Sequence, residues 1–429
     1  THDILLVGRR GWEIERRERT HSGQRTPQIR LRRSGRASRN GRRRLTKHQH
    51  FKQRRGNGTD RETAQTMANH QKWYNHLTID LFALILQRSI FHPFIAWLIP
   101  LCQRAIGAPG DSIQVLSTTY YAALITALWL LGFLDRKIAY GQPRELDWEN
   151  EVVVITGGAG GLGKIMAEMY GMRGVSVALL DIREPEWESE GMADVKFYRC
   201  DVGKRTDVEK VKGQIEKDLG PVTILINNAG IVNGKPLLQL SDEDIHRNFN
   251  INLLSHFHTL RTFLPSMLAS ETGGTIVTVA SVLGKLGASN LSDYTSAKAG
   301  LIAMHNSLLA ELKSTSAPAG AQKIRTILVT PGQLSTPLFA GVKTPSSFFG
   351  PVVEPVELAR EIVRMVDAGE SGNISMPLYA RWIEWLHVLP AGLQRAARQM
   401  AGIDDAMEGF GMHRNAAKLA GGVKGGKES

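Results

Sequence analysis

Between residues 146 and 377 the chain alternates short apolar runs with stretches of helical periodicity. The apolar runs are Val152–Ile155, Val175–Leu180, Val195–Arg199, Val222–Ile226, Thr275–Ala280, Ile324–Val329 and Asn373–Met376. Runs of this length, rich in β-branched residues, predict strands buried on both faces, as in a parallel sheet. Strands that alternate with helices imply right-handed crossovers, so the predicted class is α/β with a doubly wound parallel sheet. Such sheets bind ligands outside the carboxyl ends of their strands.

Two longer apolar stretches precede this region. Leu81 to Cys102 is interrupted by Arg88, Pro93 and Pro100, and Ser112 to Leu134 runs 23 residues without a formal charge. The second is long enough for a hydrocarbon core, which takes about 20 residues. The first reads as interfacial or re-entrant. Residues 67–145 are thus expected to be membrane-associated helices, with a pair of buried soluble helices as the alternative. Arg136, Lys137 and Arg144 follow closely and place the next domain on the cytosolic side. The second stretch is too long for a cleaved signal peptide, and no small-residue cleavage site follows it. Beyond Pro377, Trp382, Trp385, Leu386 and Leu389 share one face, with Arg381, Arg395 and Arg398 nearby. Residues 378–429 therefore read as an amphipathic helix broken near Pro390, packed on the domain or lying on a bilayer near the site, followed by a flexible tail, GGVKGGKES.

Charge is unevenly placed. Residues 1–66 hold 19 Lys+Arg and 6 Asp+Glu; taken from the chain's 53 and 41, these leave 34 and 35 in the other 363 residues. The chain's basicity belongs to the arm alone. With few apolar residues and no period, 1–66 is expected to be disordered. It opens on Thr1, and composition changes abruptly at Met67. We read it as an inert tail or an artefact of the start site in preference to a binding arm, and expect no nucleic-acid partner. Two cysteines, Cys102 and Cys200, exclude a disulfide framework and suit a reducing compartment.

The candidate chemistry sits at the strand ends. Val152–Ile155 runs into Thr156 and a turn containing Gly157, Gly158, Gly160, Gly161 and Gly163, then a helical stretch. Strand, glycine turn and helix N-terminus form the arrangement that cradles a dinucleotide pyrophosphate. Asp181 ends the second strand 18 residues past Gly163, near the spacing of the acid that bonds ribose hydroxyls. A carboxylate there favours NAD and repels the extra phosphate of NADP, although Arg183 stands close enough to keep NADP as the alternative. Tyr294 and Lys298 are four apart and share a helical face, and Ser281 ends a strand thirteen residues earlier. A phenol near pKa 10 becomes a usable base when a lysine ammonium and a cationic ring favour its anion. The serine hydroxyl can hold the substrate oxygen.

These residues resemble the short-chain dehydrogenase/reductase family. The match is carried by TGGAGGLG at 156–163, Asp201-Val202, NNAG at 227–230, Asn252, Ser281, YTSAK at 294–298, Pro331-Gly332 and Thr336. The resemblance covers 146–377 and implies a Rossmann-type sheet of about seven strands. It implies Asn252, Ser281, Tyr294 and Lys298 as catalytic residues. Asn252 would order a water that relays protons to Lys298, with Asn250 as its competitor. It implies a cofactor site of Gly157, Gly161, Leu162, Gly163, Asp181, Asp201, Val202, Asn228, Ala229, Gly230, Tyr294, Lys298, Pro331, Gly332 and Thr336, and no metal.

The membrane segment, TIVTVASVLGKLG and the tail resemble the branch of membrane- and lipid-droplet-bound 17-beta-hydroxysteroid and retinol dehydrogenases. That implies a hydrophobic secondary or lipid alcohol, or its ketone, as substrate and Leu338, Phe339, Phe348 and Phe349 as an apolar lid. It also implies a membrane or lipid-droplet surface as partner, a homodimer, and residence at the endoplasmic reticulum membrane or lipid droplet facing the cytosol. The competing reading is a non-catalytic nucleotide-binding scaffold on such a surface.

Overall fold

The apolar runs become seven parallel strands: β1 Val152–Thr156, β2 Ser176–Asp181, β3 Val195–Arg199, β4 Ile224–Asn227, β5 Gly274–Val279, β6 Ile324–Pro331 and β7 Gly372–Met376. They form one sheet in the order β3-β2-β1-β4-β5-β6-β7. The structure, a computed structural model, describes residues 77–186, 194–339, 342 and 346–404. The basic arm, residues 67–76 and the C-terminal tail lie outside the described residues.

Side-chain alternation in β1 divides the core. Val153 and Ile155 join a cluster with Met166, Tyr170, Leu358 and Ile362. Val152 and Val154 face the other way, among Val208, Ile215, Phe263 and Met267. The first cluster is covered by α4 (Gly161–Gly171) and α9 (Pro355–Asp367), the second by α5 (Arg205–Asp218) and α7 (Ser255–Ala269). α8 (Ser292–Lys313) also flanks the second cluster, through Leu312, and α6 (Asp242–Phe249) leads through a π-helical turn at Asn250–Leu254 into α7. Strand order reverses between β1 and β4, so a crevice opens there at the carboxyl ends.

At the opposite end of the sheet lies a buried ion pair. The Arg144 guanidinium meets the Glu151 carboxylate, both side chains only 2% exposed. Arg144 also donates to the Thr272 carbonyl at 2.9 Å and to Thr275 Oγ1 at 3.2 Å. The Thr223 hydroxyl donates to the other Glu151 oxygen. Arg144 therefore does not belong with Arg136 and Lys137 as a charge flanking the apolar segment. Its guanidinium is consumed inside the domain, while those two remain exposed.

The apolar stretches fold as α1 (Ile79–Arg88), α2 (Pro93–Ala105) and α3 (Ile113–Tyr140). Pro93 is tolerated because it opens α2, where no N–H is needed. Ala96 and Ala122 let α2 and α3 approach closely, and the Trp97 indole donates to Thr126 Oγ1 at 3.0 Å. α3 is long and apolar enough to cross a membrane; α1 and α2, bent by 51°, pass the same test only if taken as one span. The expected C-terminal helix comes in pieces: α10 (Tyr379–Trp382), a 3-10 stretch over Ile383–Val388, and α11 (Ala391–Met400). Pro390 has no N–H to continue the first piece and instead caps the second.

Candidate active site

Strands β1 to β6 deliver side chains or backbone at their carboxyl ends to a cavity of about 1570 Å³. Gly157 and Gly161 take φ of +66° and +54°, which a residue with a Cβ adopts only under strain. At Gly160 a Cβ would meet nothing within 4 Å, so the turn presents bare backbone to open space. Gly163 serves differently. It does not line the cavity; a Cβ there would lie 2.4 Å from the Gly157 carbonyl oxygen, so its role is to let α4 pack against the turn.

The turn is held from two sides. Asp181 accepts the Ala159 N–H at 3.0 Å and the Arg183 N–H at 3.1 Å. Asn228 donates to the carbonyls of Thr156 and Gly157, each at 3.2 Å. Thr156 Oγ1 accepts the N–H groups of Asn228 and Ala229 at 3.0 and 3.1 Å. Thr156 was not singled out from sequence, although a hydroxyl ending an all-apolar strand is a readable signal.

Ser281 follows β5 in extended conformation, and its Oγ accepts the Leu283 N–H at 3.1 Å. That leaves its own proton to donate. The short turn it opens rests on α8 because Gly284 has no side chain; a Cβ would stand 2.7 Å from the Lys298 carbonyl oxygen. Tyr294 and Lys298, one turn apart on α8, are 4% and 3% exposed and line the same cavity as Ser281. Lys298 Nζ sits 5.8 Å from the Tyr294 ring centroid and donates to the Val279 carbonyl at 2.9 Å. Burial pushes the Tyr294 phenol up to about 12, with the Ser281 hydroxyl pulling the other way. Burial holds the Lys298 ammonium down at about 8.

Asn252, in the π-turn, is fully buried and does not line the cavity, whereas Asn250 does. Asn252 Oδ1 accepts the Ile231 N–H at 2.9 Å, and its amide donates to the Ile231 carbonyl and to Asn248 Oδ1, both at 2.8 Å. A Cβ on Gly230 would lie 3.1 Å from Asn252 Oδ1 and 3.8 Å from Lys298 Nζ, so no side chain separates the two. Asn248, absent from the sequence reading, is what orients Asn252.

Gly157, Gly161, Leu162, Asp181, Asp201, Val202, Asn228, Ala229, Gly230, Pro331, Gly332 and Thr336 all border the cavity. Leu334, Pro337, Leu338 and Phe339 complete its apolar side. Phe339 packs edge-on against the Tyr294 ring at 6.1 Å. The volume exceeds the ~300–1,000 Å³ of a usual small-molecule pocket, leaving room for a dinucleotide with a substrate beside it. The bare glycine backbone, the α4 N-terminus and the Asp181 carboxylate fit pyrophosphate and ribose.

The family model described as short chain dehydrogenase matches residues 151–346. A Bos taurus protein named short-chain dehydrogenase/reductase family 16C member 6 is 32% identical over 275 residues, 62% of this chain and 85% of its own. Human epidermal retinol dehydrogenase 2 is 32% identical over 269 residues, 61% of this chain and 85% of its own. Retinol dehydrogenase 10-B of Danio rerio is 34% identical over 279 residues, 58% of this chain and 81% of its own. By these likenesses the chain belongs to the short-chain dehydrogenase/reductase family, in its retinol dehydrogenase branch, and is an oxidoreductase that acts on CH–OH groups with a nicotinamide cofactor.

Proposed function

We propose that the chain is a membrane-anchored, NAD-preferring enzyme that interconverts a hydrophobic secondary or lipid alcohol, such as a steroid or retinoid, and its carbonyl. The observation that carries this reading is the shared cavity, lined by Ser281, Tyr294 and Lys298, by the glycine turn, and by Leu338 and Phe339, the last packed on the Tyr294 ring. A nicotinamide held by the glycine turn and Asp181 would supply the hydride acceptor or donor and, when oxidised, a positive charge. Tyr294 exchanges the proton with the substrate oxygen. With burial holding its phenol at about 12, it is protonated at neutral pH and set to donate; accepting needs added positive charge. Lys298 supplies part of that charge, and Ser281, whose hydroxyl also faces the Tyr294 phenol, holds the substrate oxygen. Asn252 and Asn248 order the approach to Lys298.

Asp181 favours NAD because its carboxylate can accept from ribose hydroxyls and opposes a phosphate. An apolar alcohol is supported by the Leu338–Phe339 wall and by the retinol named for two relatives. Residues 67–145 would anchor the catalytic domain, 146–377, to the endoplasmic reticulum membrane or a lipid droplet, facing the cytosol. The apolar surface of α3 supports this, as do Trp382 and Trp385, 61% and 64% exposed beyond β7.

The test is a panel of steroid, retinoid and aliphatic alcohols with NAD and NADP on detergent-solubilised protein, followed by nicotinamide absorbance. Tyr294→Phe should lose about 10²–10⁴-fold in turnover and keep cofactor affinity. Wild-type activity in that variant would refute the assignment of the proton to Tyr294.

A further inference from the structure

Asp80 is the one acidic residue between positions 77 and 110, a stretch otherwise given to apolar helix. An acid in a first helical turn often serves the helix dipole. Here Thr78 already caps α1, its Oγ1 accepting the Leu81 N–H at 3.2 Å. The Asp80 carboxylate turns elsewhere: Oδ1 accepts the N–H of Leu378, 298 residues away, at 2.5 Å, and Oδ2 is buried.

Leu378 belongs to the turn after β7, and this turn borders the site. Tyr379 folds against Gly332, where a Cβ would lie 2.6 Å from the tyrosine hydroxyl, and Gly332 lines the cavity. A second fastening lies beside the first. The segment described at 335–339, 342 and 346–353 has its two ends together, where Leu334 bridges Val353. Its first part carries Leu338 and Phe339 into the cavity. Its last part touches α1: the Ile79 N–H donates to the Phe348 carbonyl at 3.1 Å, and the rings of Phe82 and Phe348 meet edge-on at 6.1 Å. Both segments that border the site on its apolar side are therefore tied to α1.

We propose that Asp80 is a positioning residue for the alcohol pocket, fastening the membrane-associated segment to the Leu378 turn so that α1 sets the placement of the wall carrying Leu338 and Phe339. The proposal rests on the reading of this cavity as the site of an apolar alcohol. It makes the membrane segment a support of the pocket as well as an anchor.

The experiment compares full-length wild type, Asp80→Ala and Asp80→Asn in detergent micelles, the last keeping an acceptor oxygen. Hydrogen exchange is followed in peptides covering 346–353 and 376–380, and KM and kcat are measured with a steroid or retinoid alcohol. In Asp80→Ala, exchange in both peptides should quicken and KM should rise by about 2- to 12-fold, the worth of one hydrogen bond. Meanwhile kcat and the cofactor dissociation constant should stay at their wild-type values, and Asp80→Asn should restore both KM and exchange. Unchanged exchange in Asp80→Ala overturns the fastening. Faster exchange with unchanged KM overturns the positioning role. A wild type that turns over no apolar alcohol sinks the reading of the cavity and the positioning role with it, while the exchange measurement still decides the fastening.

Discussion

Replacing Arg144 by methionine should remove a large part of the stability of the domain without touching its chemistry. The substitution leaves the Glu151 carboxylate buried, with the Thr223 hydroxyl as its remaining partner, and orphans the Thr272 carbonyl and the Thr275 hydroxyl. Breaking a buried pair from one side typically costs about 3–5 kcal/mol, whereas replacing both partners by apolar groups is often neutral. Against a total of about 5–15 kcal/mol that is a fifth or more of the stability. For a domain of this size it corresponds to a fall of about 6–20 °C in Tm. The assay is thermal unfolding of detergent-solubilised wild type, Arg144→Met, Glu151→Leu and the double variant. Each single variant should fall, and the double should recover most of the loss, so that the coupling approaches the sum of the two single losses, about 6–10 kcal/mol if each costs about 3–5. Because the pair lies at the amino ends of the strands, kcat/KM measured well below Tm should match wild type in all four. A single variant as stable as wild type, or a double that loses the plain sum, would refute the argument.

Other outcomes follow from the site. Wild type should prefer NAD by kcat/KM and by binding, and Asp181→Asn, which keeps an acceptor for the Ala159 N–H, should erode that preference; a wild type that prefers NADP would show that Asp181 does not face the ribose. Gly163→Ala should weaken cofactor binding and cost about 1–3 kcal/mol of stability, because its methyl meets the Gly157 oxygen at 2.4 Å and Asn228 Nδ2 at 2.8 Å; an unperturbed variant would mean the turn yields freely. Lys298 titrates at about 8 when folded against an ordinary 10.5, so between those values the unfolded chain binds more protons and folding gains stability as pH rises. Relative to Lys298→Met, wild type should therefore gain on the order of 3 kcal/mol from pH 8 to 10.5, and a flat difference would rule out the depressed ammonium.

Local signals made the sheet and the cofactor turn legible. A buried parallel strand must be a near-continuous apolar run, so Val152–Ile155 could hardly be anything else. Tyr294 and Lys298 were readable because helical geometry alone puts them on one face. What escaped depends on partners remote in sequence. Nothing near Arg144 marks it as the mate of Glu151 and not as a flanking charge, and nothing near Asp80 names Leu378. Gly163 was read as a cofactor contact, but it does not line the cavity and its bare backbone lets α4 pack against the turn, while Asn228 both lines the cavity and holds the turn. The C-terminal segment kept its amphipathic pattern while Pro390 divided it more sharply than the pattern implied.

The π-helical turn at Asn250–Leu254 has a consequence for how this chain can vary. It acts as one surplus residue inside an otherwise continuous helix from Asp242 to Ala269. Were the same residues wound as an unbroken α-helix, everything on one side would turn by about 100° relative to the other. Either Leu260, Phe263 and Met267 would swing off the sheet, or Asn248 and Asn252 would leave Ile231. The two helical faces are phased to different neighbours, and the surplus residue sets the phase. Point substitutions along this helix are absorbed one side chain at a time; a shift of frame by a single residue is not.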